Sequence, residues 1–169
     1  MEIGLRSYQT LDPSFQPEII WDIPDDADAK LSSGGFGLLN DLSFLIFGNV
    51  RKHAGFGPKF GKDDEAAKMK VMARLGGPRS VDILVSNGLS AQCDRREIQR
   101  NVDHAKSEIA ARRFDSAEKK TSRSGLVRLA GTLDYENFDD KSLDFGFDEE
   151  GEFFVRVTLP PASIVLLPQ

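Results

Sequence analysis

Residues 143 to 159 carry the pattern that most restricts what this chain can fold into. Leu143, Phe145 and Phe147 alternate with Asp144, Gly146 and Asp148, and Phe153, Val155, Val157 and Leu159 alternate with Phe154, Arg156 and Thr158. Successive side chains of a strand point to opposite faces, so a period of two means one face in the core and one in water. Asp148-Glu149-Glu150-Gly151 is a polar turn between the two runs. The segment therefore reads as an antiparallel hairpin whose core face is Phe145, Phe147, Val155 and Val157.

Other strands read from similar signals. Glu18-Ile-Ile-Trp-Asp-Ile23 is bounded by Pro17 and Pro24, and Val81, Ile83 and Val85 alternate with Ser80, Asp82, Leu84 and Ser86. Residues 3–8, Leu126 to Leu133 and Ser163 to Leu167 read as further strands. Helices are expected over Phe36 to Phe47, from Asp63 or Asp64 to Arg74, and over Ala91 to Phe114. The second has acidic residues in its first turn and stops at Gly76-Gly77-Pro78. The third has Ser90 placed as its cap and Ala91, Ile98, Val102, Ala105 and Ile109 on one stripe. Strands, then mixed elements, then strands argue for an α+β fold: a mainly antiparallel sheet, two or three helices on one face, and a C-terminal β-meander.

With 169 residues the chain is expected to form a single domain over 1–169. Charge divides it in three. The acidic, β-rich stretch 1–50 has net charge −6, the basic segment 51–128 has +8, and the acidic C-terminal meander 129–169 has −7. Either folding interleaves these blocks or the protein presents one basic and one acidic face. The overall charge of −5 has the wrong sign for a strongly basic nucleic-acid binder. A single cysteine, Cys93, excludes a disulfide framework and any multi-cysteine metal site within the chain. No apolar run is long enough for a membrane span and no signal peptide is visible, so the expected location is cytoplasmic.

Candidate chemistry is sparse. Gly55, Gly57 and Gly61 with Lys59 and Lys62 look like an anion cradle. Yet Gly61-Lys62 is followed by Asp63 rather than Ser or Thr, and Phe56 stands where a phosphate-binding loop needs its first glycine. Phe56 and Phe60 on that basic loop read instead as docking groups, with Lys59 and Lys62 at their rim. His104 has Glu97 and Glu108 on the same helical strip, but no third metal ligand at a recognisable spacing. Cys93 lacks a base, since His104 lies about three turns away. The acidic pairs Asp139-Asp140 and Glu149-Glu150 lack the spacing of a calcium loop.

Val157-Thr158-Leu159-Pro160-Pro161-Ala162-Ser163 with Val165-Leu166-Leu167 resembles the closing strands of the small β-domain that ends many glycoside hydrolases. The likeness covers about a dozen residues and implies a strand, Pro-Pro, strand arrangement with no activity attached. With no convincing nucleophile, metal set or nucleotide loop, the expectation is a non-enzymatic interaction or assembly protein with no cofactor and no metal. It would be part of a homo-oligomer or a larger particle of the viral or phage structural kind, or a binder that neutralises a protein partner. The alternative is nucleic-acid association through 51–128, with contacts from Arg51, Lys52, Lys119, Lys120 and Arg123. A third reading is a small enzyme of unrecognised type, which convergence of His53, Glu97, His104 and Glu108 would support. The hairpin makes its own prediction. Val155→Asp buries an unpaired charge and should lower the melting temperature by many degrees, whereas a neutral effect would mean a wrong register or face.

Overall fold

The computed structural model describes residues 1–22, 29–54, 67–77, 80–114, 125–135, 142–159 and 164–166. In chain order its elements are α1 (Glu2–Leu11), β1 (Glu18–Asp22), β2 (Ala29–Leu31), α2 (Ser33–His53), β3 (Lys68–Gly77) and β4 (Ser80–Asn87). Then come α3 (Arg95–Ala110), α4 (Gly125–Tyr135), β5 (Leu143–Phe147), β6 (Phe153–Leu159) and β7 (Ile164–Leu166).

The hairpin lies where its alternation puts it. Phe145 faces Val155, Leu143 faces Val157 and Phe147 faces Phe153 across β5 and β6. The turn is held by the Asp148 carboxylate, which accepts the Glu152 N–H at 2.7 Å, and by Gly151 at φ +80°, a conformation that favours glycine. Phe145, Val155 and Val157 are buried. Phe147 is half-buried at the hairpin end, its ring edge-on to Phe153 at 5.8 Å.

β6 pairs antiparallel with β4, β4 with β3, and β3 runs parallel to β1, giving the order β1-β3-β4-β6-β5. β2 and β7 form a separate antiparallel pair, with Lys30 opposite Val165. Register puts Met69, Val71, Ile83, Val85, Val155, Val157 and Phe145 on one face of the larger sheet. They share a core with Leu42, Ile46, Phe47 and Val50 of α2, Val102 and Ala105 of α3, and Val127, Leu129 and Leu133 of α4. The other face carries exposed Lys68, Lys70, Arg74, Asp144 and Arg156. The fold is α+β, with helices gathered on one face of a mainly antiparallel sheet.

Ion pairs join the three charge blocks. Asp22 of the acidic N-terminal stretch lies 3.8 Å from both Lys70 and Arg74 of the basic segment, and Arg51 lies 2.7 Å from Asp12. Lys106 of the basic segment lies 3.9 Å from Asp144 of the acidic C-terminal stretch. At these contacts folding interleaves the blocks.

Several expected elements differ. Residues 3–8 belong to helix α1, not a strand. The expected helix ending at Arg74 is strand β3 where it is described, from Lys68 onward. Met69, Val71 and Ala73 alternate with Lys68, Lys70 and Arg74, and that period of two overrides the helix-start signals at 63–65, which lie outside the described residues. Gly77 is the last residue of β3, just before the connection to β4, rather than a helix stop. The expected strand at 126–133 is helix α4, because Leu126, Leu129, Ala130 and Leu133 recur at helical spacing. The third expected helix is shorter than 91–114. Asp94 caps it by accepting the Arg96 and Glu97 N–H groups at 2.9 and 3.1 Å, and Ser90 and Cys93 precede it. α2 runs beyond Phe47 to His53. Ser32 is its N-cap, accepting the Gly35 N–H at 3.1 Å.

α1 packs on α2 rather than on the sheet. A Cβ at Gly4 would collide with the Ser43 side chain, and Ser43 is fully buried with its hydroxyl donating to the Leu39 carbonyl at 2.6 Å. Tyr8 then meets Phe15 edge-on at 5.2 Å and Phe44 at 6.0 Å. Gly4→Val should cost about 1–3 kcal/mol through this overpacking. Gly37 in α2 has open space on its side-chain side, with nothing within 4 Å of where a methyl group would stand. Gly37→Ala should therefore stabilise by about 0.5–1 kcal/mol through helix propensity. Chemical denaturation of the two variants checks both signs.

Candidate functional site

The helical layer does not close completely over the sheet. Between α2 and α3 a cleft reaches down to Val85 of β4 and Val155 of β6, which form its floor beside Phe153. Ile46, Val50 and Ala54 of α2 make one wall, and Ile98, Val102 and Ala105 of α3 the other. Leu89, Gly125 and Leu126 complete the lining. Counted out to its open mouth, with the solvent there included, the cleft encloses about 830 Å³.

Its polar groups are few and neutral or weakly basic: Asn49, His53, Asn87 and Asn101. Asn87 sits at the end of β4, where the strand's inward face delivers it to the floor, and is only 5% exposed. Its Nδ2 donates to the Gly88 carbonyl at 2.9 Å, and its Oδ1 accepts no hydrogen bond among the described residues. Asn101 projects from α3 one residue before buried Val102. Asn49 and His53 are four apart on α2 and so share a side of its last turns.

Gly125, the first residue of α4, meets Asn49: a Cβ built there would lie 3.6 Å from Asn49 Oδ1 and 3.3 Å from Leu45. The start of helix α4 therefore stands at the cleft beside an amide. Such a site can hold a flat, largely apolar ring with hydrogen-bonding edges, and an anion where α4 begins. Among the described residues no group of three metal-ligating side chains exists.

Among the described residues singled out in the sequence as candidates for chemistry or binding, His53 reaches this cleft. His104 is exposed on α3, and Glu108 is paired with Arg113, whose Nη2 lies 2.7 Å from it. Arg51 is bound to Asp12 and Ser14, not presented to a nucleic acid. Lys52 is exposed at the end of α2. Phe56, Lys59, Phe60, Lys62, Lys119, Lys120 and Arg123 lie outside the described residues. The residues that sequence reasoning missed are Asn49, Asn87 and Asn101. Asparagine is common in turns and caps, so only their shared cleft marks them. Asn87 ends β4, and its inward direction follows from register with Val85 and Phe153.

Cleft and fold together define a two-layer α+β arrangement with an opening between its helices and its sheet. The family model described as "y4jQ C-terminal putative histidine kinase domain" matches residues 1–159, and the chain belongs to that family. Two solved structures agree in fold. The histidine kinase domain of the Erythrobacter litoralis EL346 blue-light activated histidine kinase is similar with TM-score 0.50 and 10% identity, over 95% of this chain and 58% of that one. The EL346 blue-light activated histidine kinase itself gives TM-score 0.50 and 11% identity, over 95% and 40%. The mycobacterial sensor histidine kinase MprB gives 0.48 and 9%, over 94% and 91%. The chain thus spans about 58% and 40% of the two EL346 structures. No curated protein sequence matches it.

The family match overturns the expectation of a non-enzymatic assembly or structural protein: it points to a histidine kinase domain and gives no support to a nucleic-acid partner. The expectation failed because it rested on missing short motifs, whereas the cleft draws single residues from separate elements. The expected order of strand, Pro-Pro and strand is present as β6 and β7, which belong to different sheets. No helix of the described residues is long and apolar enough to cross a membrane.

Cys93 stands behind the cleft rim, its Sγ donating to the His53 carbonyl at 2.9 Å. Burial pushes its thiol pKa up. Alkylation by iodoacetamide at neutral pH should therefore be slower than for a free thiol and should rise with pH beyond the usual thiol range. Mass spectrometry against a cysteine peptide checks this.

Proposed function

We propose that the cleft binds a purine nucleoside triphosphate and that the domain presents its terminal phosphoryl group for transfer to a histidine. The observation that carries this reading is Asn87, whose side chain lines the otherwise apolar floor of the cleft with an accessible acceptor oxygen that no described residue uses. No buried side-chain polar atom among the described residues lacks a partner, so this oxygen is accessible from the cleft and available to a ligand donor. An exocyclic amino group on a flat base is a donor of the right kind, and amide side chains pair well with adenine edges.

Val85 and Val155 would lie under the ring, with Ile98 and Val102 along its side. His53 at the mouth offers a flat imidazole beside the base. The phosphates would then run toward the start of α4, where the helix dipole favours negative charge. Asn49 lies beside that point and can donate its amide N–H to a phosphate oxygen. Membership of the family supports the reaction class, phosphoryl transfer, in which the protein's work is mostly positioning and electrostatics. A cytoplasmic location fits this reading, because the triphosphate is a donor of the cell interior.

Titration of the chain with a fluorescent mant-ADP should give a dissociation constant in the micromolar to sub-millimolar range, as is ordinary for such ligands. Ile98→Trp fills the cleft from a half-buried wall position and should weaken binding by about tenfold or more, with a melting temperature close to that of the parent. No binding up to millimolar probe, or full binding by the Ile98→Trp variant, would refute the assignment.

A further inference from the structure

α2 ends at the rim of the cleft. Asn49, Val50, His53 and Ala54 line it, and Arg51 turns the other way. Its Nε donates to Asp12 Oδ2 at 2.7 Å and its Nη2 donates to the Ser14 hydroxyl at 2.8 Å. The Ser14 hydroxyl in turn donates to Asp12 Oδ1 at 2.5 Å, and the Ser14 N–H reaches the same oxygen at 3.2 Å. Asp12 is the residue that ends α1, where its N–H donates to the Tyr8 carbonyl. The Ser14 hydroxyl, then Arg51, hold the Asp12 carboxyl below its usual range. Tyr8, Phe15 and Phe47 pack together just beneath.

The same helical turn is tied on its far side. The Ser90 N–H donates to the Ala54 carbonyl at 2.8 Å, and Cys93 Sγ donates to the His53 carbonyl. Terminal helix turns fray because their last carbonyls lack intrahelical partners. Here two clamps stop that fraying, one from the loop after β4 and one from the turn after α1. An ion pair this close to the surface adds little to global stability. Its effect is geometric: it decides where the last turn of α2, and with it the cleft rim, sits.

We propose that Arg51 is a positioning residue for the cleft, fixing the last turn of α2 to the end of α1 so that the seating of α1 sets the rim. As a statement about ligand affinity this rests on the nucleotide reading above. A displacement of α1 would loosen Asn49 and His53 without touching the ligand.

The test compares the parent chain with Arg51→Gln, Arg51→Lys and the swapped pair Asp12→Arg with Arg51→Asp. Amide hydrogen exchange, melting temperature and mant-ADP affinity are measured on each. In Arg51→Gln the amides of residues 50–54 and of Ser90 should exchange about tenfold faster or more, with those of Val85 and Val157 unchanged. Its nucleotide affinity should fall about fivefold or more. Arg51→Lys and the swapped pair should recover part of both. Unchanged exchange at 50–54 overturns the proposal, as does faster exchange with unchanged nucleotide affinity. A uniform rise in exchange with a lower melting temperature also overturns it, since that is a merely structural role. Should the parent bind no mant-ADP, the nucleotide reading falls, and the exchange arm alone still decides whether Arg51 fixes the rim.

Discussion

Everything in this structure depends on one apolar sheet face being covered once. The central strands β4 and β6 pair through Val85 and Val155, and both side chains point to the helical side. The opposite face carries charge, with Asp22 between Lys70 and Arg74 and Asp82 accepting the Thr158 hydroxyl at 2.6 Å. Helices can therefore be gathered on one side only. Burial of a side chain the size of valine contributes about 1.5–3 kcal/mol, whereas each of the exposed ion pairs contributes under about 1 kcal/mol. The core, not the charge pattern, decides the architecture.

The cleft follows from how that cover is assembled. α2 lies on the sheet through Leu42, Ile46, Phe47 and Val50, and α3 through Val102 and Ala105. α3 presents a narrower apolar stripe, and its Ile98 stays half-buried. Val85 and Val155 are left as the floor of an opening between the two helices, with Asn87 at the strand end beside them. A deeper α3 stripe would have filled that space. The functional feature of the domain is thus a place where core packing stops short.

α1 adds a second tier, seated on α2 instead of the sheet. Gly4 allows its backbone close to Ser43, and the rings of Tyr8, Phe15 and Phe47 fill the space further along. Arg51 completes the attachment at Asp12. One helix, α2, therefore meets the sheet, the cleft and α1 with different sides of its surface. Changes in any one of them can be felt by the others through a single rigid element.

The amino-acid sequence by itself determined the hairpin, β1, β4 and the amphipathic stripe of α3, because each has a clean period and clear punctuation. It also determined the α+β class. The sequence was ambiguous at 68–74 and 126–133. Lys68 to Arg74 supports a helix by its end signals and a strand by its alternation, and pairing with β1 and β4 chose the strand. Leu126 to Leu133 is a short apolar run that fits either state, and the α2 and α3 surfaces it covers chose the helix. The site was the least legible part. Asn49, Asn87, Asn101 and His53 come from three elements and sit up to 52 residues apart in the chain. No spacing rule connects them, since only packing against the sheet brings them to one cleft. Tertiary structure also decided that Arg51 binds Asp12 and Ser14, because a cation's partner across 39 residues is set by where two helices lie.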